Sequence, residues 1–146
     1  MSLAVLATCD EPMPGYSGTP LTKKLGIKDG FRVSLVSAPE EVIAELKASL
    51  EKCEKARDAR TPLDFAMIFI TSSAALRKEF SRLAEALNAA GMLWVSWPKK
   101  SSGMATDLNE NIVREIGLAA GLVDVKVCAV TDVWSGLKFV RRLQDR

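Results

Sequence analysis

A chain of 146 residues is long enough to bury one hydrophobic core and too short for two. At 48% hydrophobic and 26% charged it has ordinary globular usage, and twenty Lys+Arg against eighteen Asp+Glu leave a formal charge of only +2, which argues against a nucleic-acid partner. No apolar run is long enough to span a membrane, and Met1 to Thr8 lacks the basic flank of a signal peptide, so the expectation is one cytoplasmic domain over 1–146, with 1–18 an N-terminal strap or loop and 19–146 the folded body.

Residues 9–18 hold two prolines and two glycines and read as loop. Thr19-Pro20 then opens a short helix that Gly26 stops in a left-handed turn. Phe31 to Ser37 is an apolar, β-branched run that reads as a buried strand. Pro39 ends it, and Glu40 to Leu50 repeats Val42, Ile43, Leu46 and Leu50 at helical spacing. The charged stretch 51–60 suits either a fraying helix or a short edge strand, with the helix preferred.

Phe65 to Thr71 is the next buried strand. Ser72-Ser73 caps a helix with Leu76, Phe80, Leu83 and Leu87 as its stripe and Gly91 as its stop. Met92 to Trp97 forms another strand, ended by Pro98, and 98–106 is a polar loop. Asp107 with Glu110 reads as a capping box for a helix whose inner face is Leu108, Ile112, Ile116 and Ala119. Beyond Gly121, Val123, Val125, Val127 and Ala129 alternate as the inward face of a strand, Thr131 to Gly136 turns, and Leu137 to Arg142 returns antiparallel. Strands alternating with helices predict a three-layer, Rossmann-like α/β sheet, mostly parallel with a C-terminal antiparallel hairpin.

There is no histidine, which excludes the Ser-His-Asp triad, the Cys-His pair and every His-ligated metal site. Cys9, Cys53 and Cys128 are odd in number and far apart, as in a reducing compartment, and form neither a disulfide framework nor a zinc site. Cys128, inside an apolar run, reads as a small buried hydrophobe.

Two resemblances rest on particular residues. Leu25-Gly26-Ile27-Lys28-Asp29-Gly30 before the first strand, Leu63-Asp64 before the second, Ala90 to Val95 and the closing hairpin resemble a class I methyltransferase domain. That resemblance implies glycines after the first strand for close approach to the cofactor, but the chain has Ser37-Ala38-Pro39-Glu40-Glu41 there and no clear second strand with a ribose-binding acid. No working adenosylmethionine site, and no other cofactor, is therefore expected. Gly15 to Leu21, Trp97-Pro98-Lys99-Lys100, Thr106-Asp107-Leu108 and Trp134-Ser135-Gly136-Leu137-Lys138 are similar to an uncharacterised bacterial family of domains of unknown function, a resemblance that implies the same fold and no assigned activity.

Ligands of open α/β sheets bind beyond the carboxyl ends of the strands. There the sequence offers Lys99, Lys100, Ser101 and Ser102 with Asp107 just beyond, a set suited to a small anionic ligand, and the loop residues Tyr16 and Ser17 as a flap or strap. The plain reading of the same residues is a solvated loop and a packed strap. Trp134 and Ser135, in the expected hairpin turn, either cover the sheet end or form a partner surface, such as a homo-oligomer contact; Arg141, Arg142 and Arg146 read as a solvated basic tail. Three functions remain: a non-catalytic small-ligand-binding or regulatory domain on a degenerate methyltransferase-like fold, which the residues favour; a small enzyme using Lys99 or Lys100 on a phosphorylated or acidic metabolite; and an interaction protein using the hairpin around Trp134.

Overall fold

In the computed structural model, which describes residues 20–56 and 62–146, Pro20 opens α1 (Leu21–Leu25) and Gly26, at φ 86°, stops it in the left-handed region. The strap residues, including Tyr16, Ser17, Cys9 and the expected cap Thr19, lie outside the described part. The apolar runs become β1 (Arg32–Val36) and β3 (Leu63–Phe69), with α2 (Glu40–Leu50) between them as its spacing predicts. After α2 the chain forms a two-residue strand, β2 (Glu54–Lys55), where a fraying helix was preferred. The open edge of β1 explains the difference: Glu54 N donates to the Phe31 carbonyl at 2.8 Å and Ala56 N to that of Val33 at 2.9 Å, and Arg32 pairs with Glu54 at 2.6 Å.

Ser72 caps α3 (Ser73–Ala86) by accepting from Ala75 N. The helix ends one residue before Leu87, which begins β4 (Leu87–Pro98), so Leu87 and Gly91 belong to a strand and not to a helix and its stop. Tertiary contacts decide this. Leu87 pairs with Leu63, and a Cβ on Gly91 would meet the Leu63 carbonyl oxygen at 2.6 Å. Arg141, expected as part of a solvated tail, instead donates to the carbonyls of Ala84 at 2.9 Å and Leu87 at 2.7 Å, closing the carboxyl end of α3.

α4 (Glu110–Ala119) is capped by Asn109, whose side chain accepts from Ile112 N at 2.9 Å; Asp107 is not its cap. The later start turns the buried stripe to Val113, Ile116 and Gly117, leaving Ala119 exposed. Gly117 sits where a Cβ would enter the ring of Phe139, which packs edge-to-face on Phe80 at 5.1 Å. Gly121, at φ 96°, leads into β5 (Leu122–Ala129), and β6 (Trp134–Arg141) returns.

The six strands lie in the order β2-β1-β3-β4-β6-β5, parallel except that β6 runs against both neighbours. Period-two alternation divides the core. Ala66, Ile68, Leu93, Val95, Trp97, Leu137 and Phe139 pack under α3 and α4; Val33, Phe65, Met67, Phe69, Trp94 and Trp134 pack under α1 and α2.

Two sequence expectations fail on the hairpin. Asp124 faces Phe139 and Lys126 faces Lys138, so Val125 is a bulge that breaks the alternation; Val125 and Val127 are 53% and 51% exposed. Trp134 is in β6, not in a turn, and at 9% exposure its ring meets Phe69 edge-to-face at 5.2 Å. It is core, which removes the basis for a partner surface there; Ser135 is half-buried beside it. No helix among the described residues is long and apolar enough to cross a membrane.

These packings set three expectations for denaturant unfolding. Trp134→Ala should cost about 3–5 kcal/mol, as for other buried aromatic truncations. Val125→Asp should stay within about 0.5 kcal/mol of the parent, the usual range for exposed positions. Gly117→Ala should destabilise although alanine is the better helix former by about 1 kcal/mol, because the Phe139 ring must move.

Candidate functional site

Because β1, β2, β3, β4 and β5 point the same way, their carboxyl ends and the start of β6 share one edge of the sheet. Four described connections reach that edge: 37–39 after β1, 70–72 after β3, 99–109 after β4 and 130–133 between β5 and β6.

Ser37 turns the chain out of β1 at φ 60°, the one non-glycine residue with positive φ among those described. A side chain in that region costs about 1–2 kcal/mol, so the turn is held by its surroundings, and such strain concentrates at functional sites. Pro39 follows as the N-cap of α2 and supplies no side-chain hydrogen bond; Glu40 and Glu41 occupy the first turn, where their charges oppose the positive end of the helix dipole.

The β3 and β4 connections are stitched together. The Thr71 carbonyl accepts from Thr106 Oγ1 at 2.7 Å and from Asp107 N at 3.4 Å. Asp107 then reaches the start of α3, where its carboxylate accepts from Ser73 N at 2.8 Å and from Ser73 Oγ at 2.7 Å. The two Ser73 bonds hold its carboxyl below the usual carboxylate range. Asp107 is thus a cap in trans for α3, not a cap for α4, and it is committed to the protein's own backbone.

Of the other residues singled out in the sequence, Ser102 is also committed: its hydroxyl donates to the Lys99 carbonyl at 2.7 Å and accepts from Met104 N at 3.2 Å. Lys100 and Ser101 are exposed on a single 3-10 turn, Lys100–Ser102, closed by Gly103 at φ 76°. Lys99 parts from Lys100. It is half-buried, and its amide donates to the Val133 carbonyl at 2.7 Å. The structure therefore brings Lys99 to the β5–β6 side of the edge and leaves Lys100 and Ser101 at the loop tip.

Sequence reasoning missed two groups. Ser37 carried no signal, because a left-handed serine has no sequence mark. Ser96 lies in the apolar β4 run, paired across strands with Phe69 and Gly136; it is fully buried and its hydroxyl has no partner among the described residues. Burial raises the Cys128 thiol, against the opposing effect of Lys24, Lys126 and Lys99; burial also raises Cys53, at the far edge beside β2. Among the described residues no group of three His, Cys, Asp or Glu could hold a metal ion.

No protein-family model matches the chain. No curated protein matches it. Solved structures that do match include several methyltransferases. Magnesium protoporphyrin IX methyltransferase from Synechocystis, solved with bound SAH, is 14% identical, with a TM-score of 0.55 over 78% of this chain and 75% of its own. A putative methyltransferase from Thermoplasma acidophilum is 9% identical, with a TM-score of 0.54 over 86% and 75%. Precorrin-6y C5,15-methyltransferase from Geobacter metallireducens is 9% identical, with a TM-score of 0.56 over 84% and 86%. Likeness at these identities establishes the fold: the chain has the Rossmann-like fold of the class I methyltransferases, with a mostly parallel six-stranded sheet and an antiparallel final pair.

The Asp107 clip has a pH signature. Its carboxyl is depressed in the folded state, so its stabilisation is present above the ordinary carboxylate range and is lost as pH falls through the folded value. Asp107→Asn should unfold at lower denaturant than the parent at pH 7, with the gap closing in acid. Ser73→Ala should lose part of the same pH-dependent difference.

Proposed function

We propose that this chain is a small-ligand-binding or regulatory domain that uses a methyltransferase-like frame without transferring methyl groups. The observation that carries this reading is the Ser37-Ala38-Pro39 turn at the carboxyl end of β1. In a Rossmann-like sheet a ligand is held at that turn by backbone amides that approach it closely, which requires little side chain and free N–H groups. Here Ser37 and Ala38 carry Cβ atoms and Pro39 has no N–H.

Adenosylmethionine does not fit the residues present. Glu40 and Glu41, in the first turn of α2, put two negative charges beside the Ser37 turn and would repel a ligand carboxylate held there. The neighbouring polar groups are also occupied. Asp107 is ionised and bonded to Ser73, Thr106 to the Thr71 carbonyl and Ser102 to the Lys99 carbonyl, and no histidine is present to exchange a proton near neutrality. The Glu40 and Glu41 carboxylates beside the Ser37 turn instead suit a hydroxylic small molecule that donates hydrogen bonds to them.

Methyl transfer is the competing reading. The left-handed Ser37 favours it, because the sharp bend after β1 is kept although the glycine is not. Titration calorimetry separates the two. Adenosylmethionine and its demethylated product should give no saturable heat at micromolar concentrations. Micromolar binding that Ser37→Trp abolishes, with the melting temperature preserved, would establish the methyltransferase reading instead. Native mass spectrometry of the protein after incubation with a small-molecule extract should retain a non-adenosyl ligand that Ser37→Trp releases.

A further inference from the structure

Lys126 and Lys138 are direct cross-strand partners, so two ammonium groups rise side by side from one face of the sheet. Like charges in that position destabilise a strand pair. α1 crosses above them. Lys126 Nζ donates upward to the Lys24 carbonyl at 3.0 Å, and Lys24 Nζ donates downward to the Ala129 carbonyl at 3.0 Å. Lys138 Nζ lies under the Gly26 turn, 3.9 Å from the place a Cβ would occupy on Gly26. Beyond the end of β5 the Lys99 amide donates to the Val133 carbonyl at 2.7 Å, and Cys128 stands opposite Gly136.

No carboxylate among the described residues pairs with any of these lysines; the ion pairs there use Arg32, Arg82 and Arg114. Lys138 is half-buried, and its ammonium is held below the ordinary lysine value, first by burial and then by Lys126. Alone, the patch is mutually repulsive. A bound anion turns each repulsion into an attraction, and the single carbonyl bonds of Lys24 and Lys126 leave N–H donors free to meet it.

We propose that Lys24, Lys126 and Lys138, where α1 crosses the β5–β6 hairpin, form a binding site for a small phosphorylated molecule. Ammonium groups from several elements surround a phosphoryl group as point charges and need no planar fork. The exposed large apolar side chains of the described residues include no aromatic ring, so a single-stranded nucleic acid finds no stacking platform beside the patch. The site stands apart from the Ser37 turn and does not depend on the reading given to it.

Inorganic pyrophosphate is the probe. Titrated into the full chain at fixed ionic strength, it should bind saturably with one-to-one stoichiometry. The pair Lys126→Gln with Lys138→Gln should weaken it by about tenfold or more, the range expected for losing charge-assisted contacts. Lys78→Gln, an exposed lysine of α3 beneath the other face, should not change it. The double variant should melt at or above the parent temperature, because a like-charge pair is gone; this keeps lost binding separate from lost folding. A second readout is Cys128 itself. Pyrophosphate should slow its alkylation, followed by peptide mass spectrometry, while leaving that of Cys53 unchanged. Absent saturation, equal loss in Lys78→Gln, reproduction of the effect by chloride at matched ionic strength, or tighter binding of an oligonucleotide than of pyrophosphate would each overturn the proposal.

Discussion

The indole N–H of Trp94 is buried at the centre of the sheet and must find an acceptor there, and the Leu25 carbonyl supplies it at 2.9 Å. Much of this architecture follows from that bond. It seats α1 on the sheet, and the left-handed Gly26 beside it lets the chain leave the helix at once, with Met92 lying against the turn. The ring also dictates its neighbour. A Cβ on Gly136 would come within 3.1 Å of the Trp94 ring and 2.9 Å of Val130, so β6 carries a glycine there. Lys24 is carried over β5 as a consequence, and a bond made for packing assembles the cationic patch.

The other end of the sheet is organised by a different economy of hydrogen bonds. A helix start leaves amide N–H groups without partners, and α2 and α3 meet that need differently. α3 is served by Ser72 and, across 34 positions of sequence, by Asp107. α2 begins at Pro39 with no side-chain cap. The β3 and β4 connections are therefore locked to one another by side-chain hydrogen bonds, whereas the turn after β1 is held by the packing of Ala38 on the core. A rigid wall opposite an uncapped helix start suits selective binding, since a ligand need order little of the protein to be held.

The layers of the fold were legible in the sequence because they rest on local signals. The apolar runs of β1 and β3, the spacing of Val42, Leu46 and Leu50, and glycine stops at Gly26 and Gly121 each act within a few residues. The errors share one cause, a distant partner that overrode a local preference. Asp107 and Asn109 both suit a helix cap, and Ser73, on another element, decided between them. Leu87 continued the helical stripe until Leu63 claimed it for the sheet. One bulged residue, Val125, sufficed to turn an alternation inside out. Of the candidate site, the loop carrying Lys99 and Lys100 was legible as a position at the ligand edge, but the parting of the two lysines was not. Lys24 and Lys126 lie 102 positions apart, and no local pattern joins them.

Charge shows most clearly how a bulk quantity can mislead. A formal charge of +2 on 146 residues suggests a neutral molecule with no preference among partners. The sum hides a division of labour between the two cationic side chains. Arg32, Arg82 and Arg114 bind carboxylates, and Arg141 binds the carbonyls that end α3. Lys126 and Lys138 were placed opposite one another on a strand pair where either could have faced an acid. Lysine in that position can do what a bidentate arginine already committed to carboxylate cannot: its rotatable ammonium can turn to a ligand that arrives and leaves. The electrostatic balance the patch lacks among the described residues is then supplied by what it binds, which ties the cost of the repulsion to the use of the site.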